Sequence, residues 1–195
     1  MIILNNMTRK EIQDYALKAL RNNNYNGVVI LSTGTGKSKV GIDAIKEGKF
    51  KNILITSPRT NLKENWENEL FKWGIIKHIF GNSSFYYGEK STIMIDIILE
   101  NIQTCYKWSE EKLKQFDLVI IDEIHTIGNE YFNLIKNSSC SIIGLTGTPN
   151  KSDDFKKDVL YKELPIIYEY LDSAKDGIVN KTNYYKFEYE LSDDY

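Results

Sequence analysis

The chain has 195 residues, 25 Lys plus Arg against 27 Asp plus Glu, a formal charge of −2, and 42% hydrophobic residues. That length fits one ordinary domain with at most an appended segment; the apolar content excludes wholesale disorder, and the near-zero charge excludes a strongly basic nucleic-acid-coating protein. No apolar run reaches the ~18 residues of a membrane helix, the N-terminus does not read as a secretory signal, and Cys105 and Cys140 lack metal-ligand spacing and suggest a reducing, cytoplasmic compartment.

In chain order, Thr8 caps a helix with Ile12, Tyr15, Ala16, Ala19 and Leu20 on one face. Gly27–Leu31 reads as a strand covered on both faces, followed by STGTGKS and a helix from Lys37 to Glu47 that Gly48 stops. Asn52–Thr56 is a second such strand, followed by SPR and a helix over Asn61–Trp73 with Leu62, Trp66, Leu70 and Trp73 on one face. The Gly-, Asn- and Ser-rich stretch Gly81–Lys90 reads as a loop, in which Phe85, Tyr86 and Tyr87 are a secondary candidate for nucleic-acid contact. Ile93–Leu99 is a strand, Ser109–Gln115 a short amphipathic stretch, and Phe116–Asp122 a strand ending in acids. A helix over Glu130–Lys136, a strand over Ser141–Thr146 and a polar helix near Asp153–Leu160 complete the pattern. Trp66, Phe71 and Trp73 read as helix-face packing, and His78 as structural.

Short apolar strands alternating with helices predict an α/β fold, a parallel sheet with helices on both faces, with ligands beyond the carboxyl ends of the strands. Each polar motif follows directly after a strand. In Gly34-Thr35-Gly36-Lys37-Ser38 the glycines let backbone N–H groups turn toward a phosphate, while Lys37 reaches the β- and γ-phosphates and Ser38 ligates Mg²⁺. Leu31 stands where the full P-loop pattern has its first glycine. Asp122 suits a hydrated Mg²⁺, Glu123 a water-orienting base, and His125 a partner beside them. Thr146 and Thr148 place hydroxyls at the next strand end.

STGTGKS, SPR, DEIH and LTGTP, in this order on successive strands, resemble the first RecA-like domain of superfamily 2 helicases and translocases, in the DExH branch. The tail after TGTP resembles the group shared by restriction-enzyme motor subunits, repair translocases and phage helicases, and the likeness covers about residues 8–190. The resemblance implies a RecA-like P-loop domain over 1–170, and a segment over 171–195 that leads toward a second RecA-like domain, absent here and supplied by a longer chain or in trans. It implies ATP and Mg²⁺ held by Thr33, Gly34, Thr35, Gly36, Lys37 and Ser38, with Gln13 reading adenine, Arg9 near the base, and Asp122 behind the ion. Glu123 and His125 then serve catalysis, and Thr146 and Thr148 couple ATP state to nucleic acid. Pro58, Arg59 and Thr60, with Gln103 and Thr104, match segments that hold a nucleic-acid backbone, with DNA favoured over RNA. The function so implied is an ATP-dependent helicase or translocase, cytoplasmic and compatible with a phage or viral protein acting in a host cell. The alternatives are another partner-activated P-loop enzyme and a non-enzymatic nucleotide-binding module.

Overall fold

The computed structural model describes residues 7–58, 61–77, 84–88, 93–129, 132–136, 139–148, 153 and 156–171. Arg59, Thr60, His78, Pro149 and the segment from residue 172 onward lie outside them.

The helices are α1 (Arg9–Asn22), α2 (Lys37–Gly48), α3 (Leu62–Lys72), α4 (Ile102–Cys105), α5 (Glu110–Leu113), α6 (Phe132–Lys136) and α7 (Tyr161–Glu163). The strands are β1 (Gly27–Leu31), β2 (Asn52–Ser57), β3 (Ile76–Lys77), β4 (Ser84–Tyr87), β5 (Ile93–Asn101), β6 (Leu118–Asp122), β7 (Ser141–Thr146) and β8 (Ile166–Tyr170). A 3-10 turn spans Ile124–Thr126, and a π-helical turn spans Lys156–Leu160 where a polar α-helix was expected. The eight strands form one sheet in the order β3-β4-β5-β2-β6-β7-β1-β8. Strands β5, β2, β6, β7, β1 and β8 run parallel, as in Val29 opposite Leu145 and Ile55 opposite Ile120.

The apolar strands divide their side chains between two cores. Val29, Leu31, Ile53, Ile55, Ile120 and Leu145 face α1, α2 and α3, while Val28, Ile30, Leu54, Val119 and Ile121 face α4, α5 and α6. Each fully buried Leu or Ile contributes roughly 1.5–3 kcal/mol, which fixes register across the sheet.

Two sequence expectations are corrected. Residues 84–87 form β4, paired antiparallel with β5 and, through Tyr86 and Phe85, with β3, so one edge of the sheet is not parallel. Phe85 and Tyr87 are buried in the core under α3, and are closed to nucleic acid because alternate residues of a strand share one face. The second concerns the end of α2. Gly48 is still helical, and the left-handed cap falls on Lys49 (φ 56°). A side chain at Gly48 would strike the ring of Phe50, so that glycine is there for packing.

Candidate functional site

The parallel order puts the carboxyl ends of β1, β7 and β6 side by side, which brings the loop after β1, Asp122 and Thr146 to one edge of the sheet. The loop after β1 is pinned at its start, where the Ser32 N–H donates to the Tyr170 carbonyl of β8 at 2.9 Å. The buried Thr35 closes it, its hydroxyl donating to the Ser32 carbonyl at 2.6 Å. Gly34 and Gly36 take φ of 84° and 91°, a region only glycine adopts freely. Gly36 begins α2 with no side-chain cap and no acid in the first turn, so backbone amides and the helix dipole favour an anion. Leu31, at the missing first glycine, is fully buried in the core beneath α1 and α2.

A cleft of about 500 Å³ opens over this loop. Arg9, Lys10 and Gln13 of α1 form one wall, and Lys37, Ser38 and Lys39 lie at the base with Gly34 and Gly36. Gln13 Nε2 donates to the Thr35 carbonyl at 2.7 Å, tying α1 to the loop. The opposite wall is Glu69, Lys72 and Trp73 of the α3 end. The Trp73 indole donates to Glu69 Oε2 at 3.0 Å, and Lys39 Nζ lies 4.8 Å from its ring centre. Trp73 is therefore a wall of the cleft as well as a packing residue. Thr33 is exposed at the loop tip.

Beside the loop, β6 delivers Asp122. Its Oδ2 accepts from the Trp66 indole at 3.1 Å and its Oδ1 from the Glu123 N–H at 3.0 Å. Burial raises its carboxyl pKa above the ordinary value, with the Trp66 hydrogen bond opposing and the Glu123 charge adding to the rise. Glu123 is left-handed (φ 54°, ψ 43°) and turns the chain into the 3-10 segment. Ile124 anchors that turn. It fits because β7 carries Gly144, where a Cβ would lie 2.5 Å from Ile124 Cδ1. His125 Nδ1 lies 2.7 Å from Thr146 Oγ1 and 3.4 Å from Glu123 Oε2, so the imidazole bridges the acid motif and the β7 hydroxyl. The Thr148 N–H donates to Thr146 Oγ1 at 3.1 Å. Gly147 closes the circle: a Cβ there would stand 3.0 Å from Lys37 Nζ.

Pro58 ends β2, and the Gln103 side chain on α4 donates to its carbonyl at 3.4 Å. Gln103 and Thr104 are exposed. Two of the segments expected to meet a nucleic-acid strand are thus adjacent.

The model of the family described as type III restriction enzyme, res subunit, matches residues 5–151. The chain belongs to this family. It is 28% identical over 165 residues to the DNA 3'-5' translocase XPB2 of Sulfurisphaera tokodaii, covering 81% of this chain and 35% of that protein. It is 31% identical over 134 residues to a probable helicase of Escherichia phage T5, covering 67% of this chain and 28% of the relative. The SWI2/SNF2 ATPase core of Sulfolobus solfataricus, solved in complex with dsDNA, superimposes with a TM-score of 0.54 at 26% identity, covering 75% of this chain and 33% of that one. This chain therefore spans only about a third of the length of the relatives it matches. The eight-stranded, mostly parallel sheet is that of the RecA-like helicase core. Among the described residues, no helix is long and apolar enough to cross a membrane.

Sequence reasoning missed Lys10, Lys39, Glu69, Lys72 and Trp73 as parts of the cleft, and the polar role of Trp66. Periodicity placed both tryptophans on the packing side of α3. The direction of an indole N–H depends on how α3 lies across β6, which no local pattern encodes.

Proposed function

We propose that this chain is the first, ATP-binding lobe of a motor that translocates along or unwinds nucleic acid in the cytoplasm, with DNA as its track. The observation that carries the reading is that three motifs converge: Gln13 bonds the loop after β1, Lys37 Nζ lies close beside Gly147, and Thr146 is linked through His125 to Glu123. In this reading the loop amides and Lys37 hold the β- and γ-phosphates, and Gln13 with Arg9 meets the base. Ser38 and Asp122 fit a magnesium ion. These two side chains would hold such an ion together with water and the bound phosphates, the usual arrangement for magnesium. Such an ion neutralises charge on the transferring phosphate.

Glu123 then orients and deprotonates the attacking water, and Thr146 senses the γ-phosphate state through His125 and Lys37's neighbour Gly147. The nucleic-acid backbone is assigned to Pro58, Gln103 and Thr104, with Arg59 and Thr60 joining them by their place in the sequence motif. A second RecA-like lobe supplies the arginine that completes hydrolysis, as the partial span of the relatives supports.

The test is a pair of variants. Lys37→Ala is expected to lose nucleotide binding, measured by titration calorimetry with MgATP. Glu123→Gln is expected to keep that binding and to lower turnover about 10²–10⁴-fold in a protein that has both lobes. Unchanged ATP affinity in Lys37→Ala would sink the reading.

A further inference from the structure

Trp66 is 2% exposed and sits on α3 beside Leu70, within the core over the first sheet face. Packing alone does not describe its position. The far edge of the ring crosses α2 at Gly41, where a Cβ would lie 3.3 Å from Trp66 Cη2 and 3.3 Å from Leu145 Cδ1, so any larger residue there would crowd the indole. Across that gap the indole N–H reaches Asp122 Oδ2 at 3.1 Å. The other carboxylate oxygen takes the Glu123 N–H at 3.0 Å. One bond to each oxygen fixes the plane of the carboxylate, and leaves a lone pair on each for a further partner. A buried indole needs some acceptor, and a backbone carbonyl would serve. Here the acceptor is the half-buried Asp122 carboxylate at the end of β6, and the donor is carried by α3.

We infer that Trp66 is a positioning residue for Asp122. Its N–H aims the carboxylate at the hydrated ion. The inference rests on the reading of Asp122 as the acid that holds the ion. Loss of a hydrogen-bond partner behind a metal ligand typically costs 10–100-fold in metal affinity.

The experiment uses the full chain and a fluorescent ATP analogue, titrated once with excess EDTA and once at increasing Mg²⁺. In Trp66→Phe, which keeps a buried ring and loses the donor, the Mg²⁺ concentration for half-maximal enhancement of binding is expected to rise about 10–100-fold. Affinity in EDTA is expected to stay at the wild-type value. A folded Trp66→Phe with wild-type Mg²⁺ dependence overturns the inference, as does an equal loss with and without Mg²⁺, the mark of a merely structural residue. Asp122→Asn separates the two levels: if it too leaves the Mg²⁺ dependence unchanged, the reading of Asp122 falls and takes the inference with it. Should Trp66→Phe fail to fold, the wild-type indole N–H resonance decides, assigned by elimination with Trp73→Phe and Trp108→Phe. It is expected to shift when Mg²⁺ joins bound nucleotide, and a signal that does not move overturns the inference.

Discussion

Glu123 occupies left-handed backbone at φ 54° and ψ 43°, which costs an L-residue with a Cβ about 1–2 kcal/mol. The surroundings hold it there. Its N–H is bound by Asp122, its carbonyl accepts from the Thr126 N–H at 2.9 Å and hydroxyl at 2.8 Å, and the next residue, Ile124, is locked over Gly144. Gly34 and Gly36 visit positive φ without that cost, because the loop needs only their backbone. In the proposed mechanism a carboxylate has to stand at position 123 where glycine would be easier, which is how functional sites come to store strain. Glu123→Gly is therefore expected to be more stable than the wild type by roughly 0.5–1 kcal/mol, net of glycine's extra freedom in the unfolded chain. Thermal unfolding reads this directly, and a lowered melting temperature would show that the conformation carries no strain worth releasing.

Between elements, the docking of α1 on α2 governs the cleft, since α1 brings Arg9 and Gln13 while α2 carries Lys37 and Ser38. Their far ends are joined by Arg21, which donates to Glu47 Oε2 at 2.7 Å, and by the Tyr25 hydroxyl, which donates to Glu47 Oε1 at 2.9 Å. The Arg21 hydrogen bond, opposed by burial and helped by the Tyr25 contact, holds the Glu47 carboxyl below its usual range. A lowered folded pKa means stability that is present above the unfolded value and lost as pH falls through the folded one. Glu47→Gln is expected to melt below the wild type at neutral pH, with the gap closing in acid and shrinking in high salt because the pair is largely exposed. A gap independent of pH would assign the effect to something other than this charge. At this scale most of the fold was legible. Gly27–Leu31 and residues 118–121 and 142–146 are buried on both faces, so each announces itself as an apolar run. β4 was not legible, because four residues alternating Ser, Phe, Tyr, Tyr beside a Gly-Asn-Ser-rich stretch look like a loop until β5 pairs with them. Nor was the Lys49 cap, where the ring of Phe50 reserves glycine for the position before. The Trp66 hydrogen bond spans 56 positions of sequence, and only the finished sheet brings its ends together.

For the whole molecule, the formal charge of −2 conceals a strongly uneven distribution. Arg9, Lys10, Lys37, Lys39 and Lys72 converge on the proposed nucleotide cleft, with Glu69 the one acid among its described lining residues. The face proposed for nucleic acid is different in kind. Pro58, Gln103 and Thr104 carry no charge, and Arg59 is the single cation named for it. A lobe built this way should hold a triphosphate on its own and hold a polynucleotide only weakly, since each phosphate neutralised on duplex DNA contributes about −0.9 to the slope of log K against log salt. The slope for this chain on duplex DNA is thus expected to be small, about −1 to −3, with Arg59→Ala bringing it about one unit closer to zero. Fluorescence anisotropy over a salt series measures both. A slope steeper than about −6 would require a broad basic surface that the cleft and this face do not provide, and would move the nucleic-acid path onto another part of the lobe.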